Sequence, residues 1–305
     1  MKLRIWTALI AIYLLWGSTY LAIRFAVETI PPFLMAGTRF LVAGIILIAW
    51  RRLAGDLAPT ARQWRSAAII GLLLLLGGNG LVSWAEQNVA SGIAALLIGS
   101  VPLWMIVIEA VRPGGVRPNR VGIIGLCVGF GGVVLLVAPW QVNNGITGTH
   151  LMGVGALLLA AFLWSLGSIY TRSADLPKSS LLGTGMEMLA GSVGLFLAGT
   201  LTGEWHALDL ASITSRSWLG LAFLIIFGSL MGFAAYTWLL RVAPVSLVAT
   251  YAYVNPVVAI LLGSLLAQEV LNARILFAAL VIVGAVVLVN FSRNTKNEGI
   301  AAAIE

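Results

Sequence analysis

Ten stretches of this 305-residue chain stay apolar for about the 20 residues that a helix needs to cross a bilayer. They fall near 5–25, 33–50, 66–85, 91–111, 120–138, 150–171, 181–203, 217–239, 245–266 and 273–292. In lipid no water satisfies a stray N–H or C=O, so each run predicts a helix that bonds within itself. Composition agrees, with 60% hydrophobic and 10% charged residues and a mean hydropathy of +1.01. Soluble domains carry about 25% charged residues. The solvent around most of this chain is therefore lipid, and the expected fold is an all-α integral membrane protein with ten transmembrane helices. The first run is long, lacks an Ala-x-Ala cleavage site and reads as a retained helix, not a leader.

The chain also repeats itself. Trp16 and Arg24 recur as Trp164 and Arg172, and Leu15, Leu34, Gly37, Leu41 and Leu47 recur as Leu163, Leu182, Gly185, Leu189 and Leu195, all at one offset. Gly78, Trp84, Ala95, Pro102 and Arg120 return as Gly232, Trp238, Ala249, Pro256 and Arg274 at a slightly larger one. The extra residues fall around Glu204–Arg216. A polar break at Pro139–Thr149 divides the chain into two repeats, 1-139 and 150-293, with a short polar tail at 294-305. Five helices per repeat is an odd number, so the second repeat must enter the membrane upside down. Two inverted five-helix repeats are a transporter architecture, with the substrate site near the midplane between them.

Orientation follows from Lys and Arg, which favour cytoplasmic segments. With the N-terminus inside, fourteen of the 18 basic residues fall in cytoplasmic segments, Arg24, Arg216 and Arg274 fall outside, and Arg39 is embedded. Both termini are expected to be cytoplasmic, in a multi-pass protein of the cell membrane, which the resemblance given below makes the inner membrane. The net charge of +7 does not point to nucleic acid, because the basic residues form short clusters between apolar runs and no continuous stripe. The one cysteine, Cys127, excludes an internal disulfide and a cysteine zinc cluster.

Arg39 and Glu187 occupy the same place in the two repeats. A charge at the centre of a spanning helix costs at least about 2.5–3.5 kcal/mol, so it normally faces a partner or a wet cavity. At 1.5 Å per residue each lies about 10 Å from its own membrane surface, so the two straddle the midplane about 10 Å apart. Three readings follow: an ion pair that locks the repeats, a site for substrate (the two ends of a zwitterion) or a proton, or two groups that snorkel separately.

The polar and aromatic residues at membrane depth are further candidates. They are Trp16, Ser18, Thr19 and Tyr20 in the first run, Asn79 and Trp84 in the third, and Ser100 and Trp104 in the fourth. Trp164 and Ser168, Tyr236, and Tyr251, Tyr253 and Asn255 answer them in the second repeat. Pro102 and Pro256 bend their helices and free carbonyls. Such a cavity suits apolar or aromatic solutes with a few hydrogen-bonding groups, and helix packing is the competing reading for the tryptophans and Tyr253. Gly125-x-x-x-Gly129 in the fifth run lets helices approach closely, within the chain or between two copies, so monomer and homodimer both stay open. Glu86 and Gln87, at the outer end of the third run, read as an interfacial cap or a gate.

The enzyme reading is weak. There is no Gly-x-x-x-x-Gly-Lys-Ser/Thr loop, no His-Glu-x-x-His and no carboxylate pair at metal-ligand spacing, so neither a cofactor nor a metal is expected.

Four segments, in this order and spacing, resemble the EamA-type permeases of the drug/metabolite transporter superfamily, and its bacterial inner-membrane exporters in particular. They are Trp16-Gly17-Ser18-Thr19-Tyr20, Gly37-Thr38-Arg39-Phe40-Leu41, Tyr253-Val254-Asn255-Pro256-Val257-Val258 and Gln268-Glu269. The resemblance covers nearly the whole chain. It implies a secondary carrier that moves small metabolites or amino-acid-like solutes, generally outward. With the inverted repeats, the expected mechanism is alternating access in the lipid bilayer, with drugs as a further solute class and a proton as a candidate coupling ion. Family halves often carry a Gly-Glu pair before their last helix. Gln268-Glu269 stands there in the second half, and Arg112–Arg117 has no Glu in the first. The alternatives are an uptake permease or exchanger of the same fold, and a non-transporting membrane scaffold.

Overall fold

The computed structural model describes residues 2–302 except 114, 116, 138–147, 244 and 249. The polar break read at Pro139–Thr149 and the helix start at Pro244 lie largely or wholly outside the described residues. Every regular element described is helical. We number the long ones α1 (Lys2–Ala26), α2 (Pro32–Leu53), α3 (Ala61–Gly71, Leu72–Gly80 and Leu81–Ala85), α4 (Ser91–Ile98 and Val101–Val111), α5 (Arg120–Val137), α6 (Gly148–Thr171) and α7 (Ser180–Leu201). After a one-turn helix at Glu204–Ala207 come α8 (Ser215–Phe223, Leu224–Met231 and Gly232–Val242), α9 (Tyr251–Ala267) and α10 (Ala273–Ala302).

Eight of these are long and apolar enough to cross a membrane, and the apolar stretches Tyr251–Ala267 and Ala273–Leu288 are shorter. Two boundaries differ from the sequence reading. A turn at Gly99–Ser100 divides α4, so Pro102 starts a new helical segment where its missing N–H costs nothing; Pro256 does lie inside its helix. The polar tail also continues α10 as helix to Ala302, with no proline to stop it.

Local chemistry sets the other helix starts. Pro32 opens α2, and the Glu204 carboxylate accepts the amides of Phe33 and Leu34 at 3.1 and 2.9 Å. Thr60 and Gln63 form a reciprocal capping box at α3. Thr214 caps α8 through the Ser217 amide.

Lipid offers no hydrophobic drive between helices, so close backbone approach has to hold them. The most extensive pairing joins α2 to α7, which run antiparallel, with Leu34 against Gly199 at one end and Ile48 against Gly185 at the other. A Cβ on Gly71 would stand 2.3 Å from the Glu187 carbonyl oxygen, so α3 meets α7 backbone to backbone. On α5, a Cβ on Gly129 would lie 2.5 Å from Leu103, and one on Gly132 would lie 2.9 Å from Ile282. These α5 glycines are therefore used for packing inside the chain.

Contacts between the first and second halves come in matched pairs. The Trp16 ring packs on Gly232 and the Trp164 ring packs on Gly78, which are equivalent positions of the repeat. Thr19 against Gly228 is matched by Gly167 against Leu74, and Phe196 against Gly37 by Ile48 against Gly185. Both α3 and α8 widen into π geometry, at Leu72–Gly80 and Leu224–Met231, where the first helix of the opposite half crosses them. Such stretches space their carbonyls more openly and frequently mark functional sites.

Candidate functional site

A cavity of about 120 Å³ opens where these matched contacts converge. From the first half, its wall takes Trp16, Thr19 and Tyr20 of α1, Arg39 of α2, Gly78 and Asn79 of α3, and the turn of α4 at Ile98–Gly99. From the second half come Trp164 of α6, Gly228 and Phe233 of α8, and Tyr251, Asn255 and Pro256 of α9. The wall is mostly apolar, and Arg39 is the one formally charged residue on it.

Arg39 is 4% exposed. Its Nε donates to the Ser229 hydroxyl at 2.8 Å, and its Cζ lies 4.8 Å from the centroid of the Phe40 ring. No carboxylate among the described residues pairs with it. The ion pairs among the described residues are Arg51–Asp56, Arg172–Glu109 and Arg216–Glu28. A cation so enclosed is costly unless it is solvated or paired. The cavity supplies room for water or an anionic solute at its Nη groups.

Beside it stands an aromatic wall. The Trp16 indole meets the rings of Tyr251, Tyr236 and Phe233 at 5.0, 5.2 and 5.4 Å, within the range of favourable edge and tilted contacts. Its Nε1 donates to the Gly228 carbonyl at 3.1 Å, in the π stretch of α8. Across the cavity, Asn79 Nδ2 reaches the Leu74 carbonyl at 3.4 Å in the π stretch of α3. Asn255 lies on the wall, and its buried Oδ1 has no hydrogen-bond partner among the described residues.

The cavity thus gathers Trp16, Thr19, Tyr20, Arg39, Asn79, Trp164, Tyr251, Asn255 and Pro256 from the sequence candidates. The others stand elsewhere. Ser18, Ser100 and Ser168 turn their hydroxyls back onto carbonyls of their own helix or turn. Trp104 packs edge-on against Phe130 and Phe162, Trp84 packs among core side chains, and Tyr253 packs against the Leu103, Ile106 and Val286 cluster. Tyr236 stands behind Trp16. Pro102 lies at the start of the second α4 segment, outside the wall.

Glu187 is half-buried on α7, which meets α3 at Gly71, whereas Arg39 reaches across to α8. Among the described residues the two charges form no ion pair, and Glu187 is not on the cavity wall. Sequence reasoning passed over Gly78, Gly228 and Ser229. A serine within the apolar run Leu224–Met231 was a signal for the last, and the close approach that needs the two glycines has no local signature.

Apolar helices long enough to span a membrane, set around a partly polar cavity, define the membrane-transporter class. The chain belongs to the EamA-like transporter family, whose model matches residues 4–138 and 151–291. It is 41% identical to YedA of Escherichia coli K12, an uncharacterized inner membrane transporter, over 94% of this chain and 90% of that one. YvbV of Bacillus subtilis, an uncharacterized transporter, is 26% identical over 97% of this chain and 94% of its own. A solved crystal structure of 22% identity shares the fold with a TM-score of 0.63, covering 95% of this chain and 97% of that one.

Proposed function

We propose that this membrane transporter is a secondary carrier that exports small metabolites with a carboxylate end, amino-acid-like solutes among them. It works by alternating access between two inverted five-helix repeats, residues 1–139 and 150–293, with both termini in the cytoplasm. The matched cross-half contacts support the inversion, because equivalent residues meet in pairs through antiparallel helices. The strong bias of Lys and Arg to one side supports the orientation. The observation that carries the reading is Arg39, a cation with no counter-ion among the described residues, on a cavity wall drawn from both halves.

In this reading the Arg39 Nη groups take the solute's carboxylate, a charge-assisted contact worth about 1.5–3 kcal/mol. The Trp16–Tyr251 side takes its apolar part, and Asn255 Oδ1 accepts one hydrogen bond. Rocking one repeat against the other at the glycine contacts opens the cavity first to one face and then to the other. A zwitterion clasped between Arg39 and Glu187 does not belong to this reading, because Glu187 stands away from the wall.

The test is a comparison of metabolites in the medium of overexpressing and null cells, followed by counterflow of the enriched solutes in proteoliposomes. The reading expects one or a few enriched carboxylates, each showing counterflow. Unchanged medium and no counterflow would overturn it. A single stoichiometric enzyme partner in a membrane pull-down would then favour the scaffold.

A further inference from the structure

Just beyond α3, one turn past the cavity-lining Val82, lies a group that the cavity leaves unused. Glu86 is 0% exposed, and neither of its carboxylate oxygens has a hydrogen-bond partner. Four residues of helix rise about 6 Å, so Glu86 follows the cavity wall by one turn of α3.

Its charged and titratable surroundings come from three directions. On α1, Arg24 donates from Nη1 to the backbone carbonyl of Glu86, and Tyr20, one turn earlier on the cavity wall, lies within electrostatic reach. Between α9 and α10, Glu269 stands close by, its own carboxylate taking the amides of Ser91 and Gly92 at 2.7 and 3.1 Å. On α6, His150 sets its Nδ1 3.3 Å from the Asn88 carbonyl, two residues on.

These partners are largely committed. Glu269 caps the first turn of α4, and Arg24 meets the Glu86 backbone, not its side chain. A buried carboxylate with no donor is costly, and a proton removes that cost directly. Burial and the Glu269 charge push the Glu86 carboxyl up, while Arg24 pulls the other way.

We propose that Glu86 is an exchangeable proton site closing the outer end of the cavity, with Arg24 placed to receive the carboxylate when the proton leaves. In that step the Glu86 O–H breaks, its proton passes to water at the outer face, and the carboxylate gains the Arg24 guanidinium, which gives up the Glu86 carbonyl. No electrons move. Loading and unloading Glu86 would then loosen and tighten the outer ends of α1 and α3. The placing at the outer face, and the coupling of this proton to a solute, rest on the carrier reading above.

The experiment takes the reconstituted full-length protein and titrates it with protons alone, following the infrared C=O stretch of protonated carboxyls from mildly acidic to alkaline pH. We expect a band that titrates away, is lost in Glu86→Gln, persists in Glu187→Gln, and survives to higher pH in Arg24→Gln. A wild-type protein with no titrating band, or a Glu86→Gln variant with the same band, would overturn the proposal. Counterflow measured on the same liposomes tests the carrier reading separately. Its absence alongside a Glu86 band defeats the carrier and leaves the proton site standing.

Discussion

Arg39 Nε lies 2.8 Å from Ser229 Oγ, a single bond from α2 to α8 that fixes one edge of the guanidinium and leaves the rest to the cavity. Ser229→Ala removes that anchor without removing the charge. A hydrogen bond to a charged group is worth about 1.5–3 kcal/mol, part of which the mobile guanidinium recovers from water. The apparent solute affinity in counterflow should weaken about tenfold at unchanged folding, and Arg39→Lys should not substitute, because a point ammonium lacks the planar fork. Wild-type affinity in Ser229→Ala would show that the bond does not position Arg39.

The α3–α7 contact makes a sharper stability prediction. A Cβ on Gly71 would sit 2.3 Å from the Glu187 carbonyl, which cannot yield as a side-chain tip can. Gly71→Ala should cost about 1–3 kcal/mol through overpacking. Gly131→Ala, with nothing within 4 Å of its Cβ, should hold or raise the melting temperature. Thermal unfolding in detergent separates the two, and equal melting temperatures would count against the backbone contact.

Gln268 takes a φ of +53°, the left-handed region that side chains with a Cβ avoid. A glycine would adopt this angle without that strain. Gln268→Gly should stabilise by about 1 kcal/mol and Gln268→Val should destabilise by at least as much. The measurement is again the melting temperature. A destabilised Gln268→Gly would mean that the side chain makes a contact worth more than the strain.

At the end of α2, Arg51 holds both oxygens of Asp56 at 2.8 Å. Those bonds first, then one from Ser179, hold the Asp56 carboxyl down at about 2, against about 3.9 in an unfolded chain. A depressed folded value means that the stabilisation is full above about 3.9 and is lost as pH falls toward about 2. Asp56→Asn should flatten the acid limb of a melting-temperature profile in that window and change its slope little near neutrality. An unaltered acid limb would assign the acid sensitivity to other groups.

Much of this was legible in the chain itself, and the failures share a cause. Hydropathy located the apolar helices, eight of them long enough to cross a membrane, because lipid demands about 20 apolar residues wherever a helix crosses. The repeat pointed to the contacts, since Trp16 and Trp164 do sit on matched glycines. Arg39, Asn79 and Asn255 stood out because polar groups at that depth need a reason, and they line the cavity. Ser18 and Ser168 carried the same signal and do not, because a serine in a helix can satisfy itself on its own carbonyls. Glu187 misled for a subtler reason. The repeat matched its position to that of Arg39, but a position in a repeat does not say which groups a side chain meets. The π stretches and the turn at Gly99–Ser100 were not legible, since both arise from helices fitting one another and not from local propensity.

The central claim is that Arg39 receives a solute carboxylate inside a cavity shared by both halves. It is tested most directly by counterflow in proteoliposomes, using the carboxylate most enriched in the medium and comparing the free acid with its methyl ester. Wild type should prefer the acid by about tenfold to a hundredfold, the equivalent of about 1.5–3 kcal/mol, and Arg39→Gln should carry the two alike. A wild-type protein that carries the ester as well as the acid, or an Arg39→Gln variant that keeps the preference, would contradict the account.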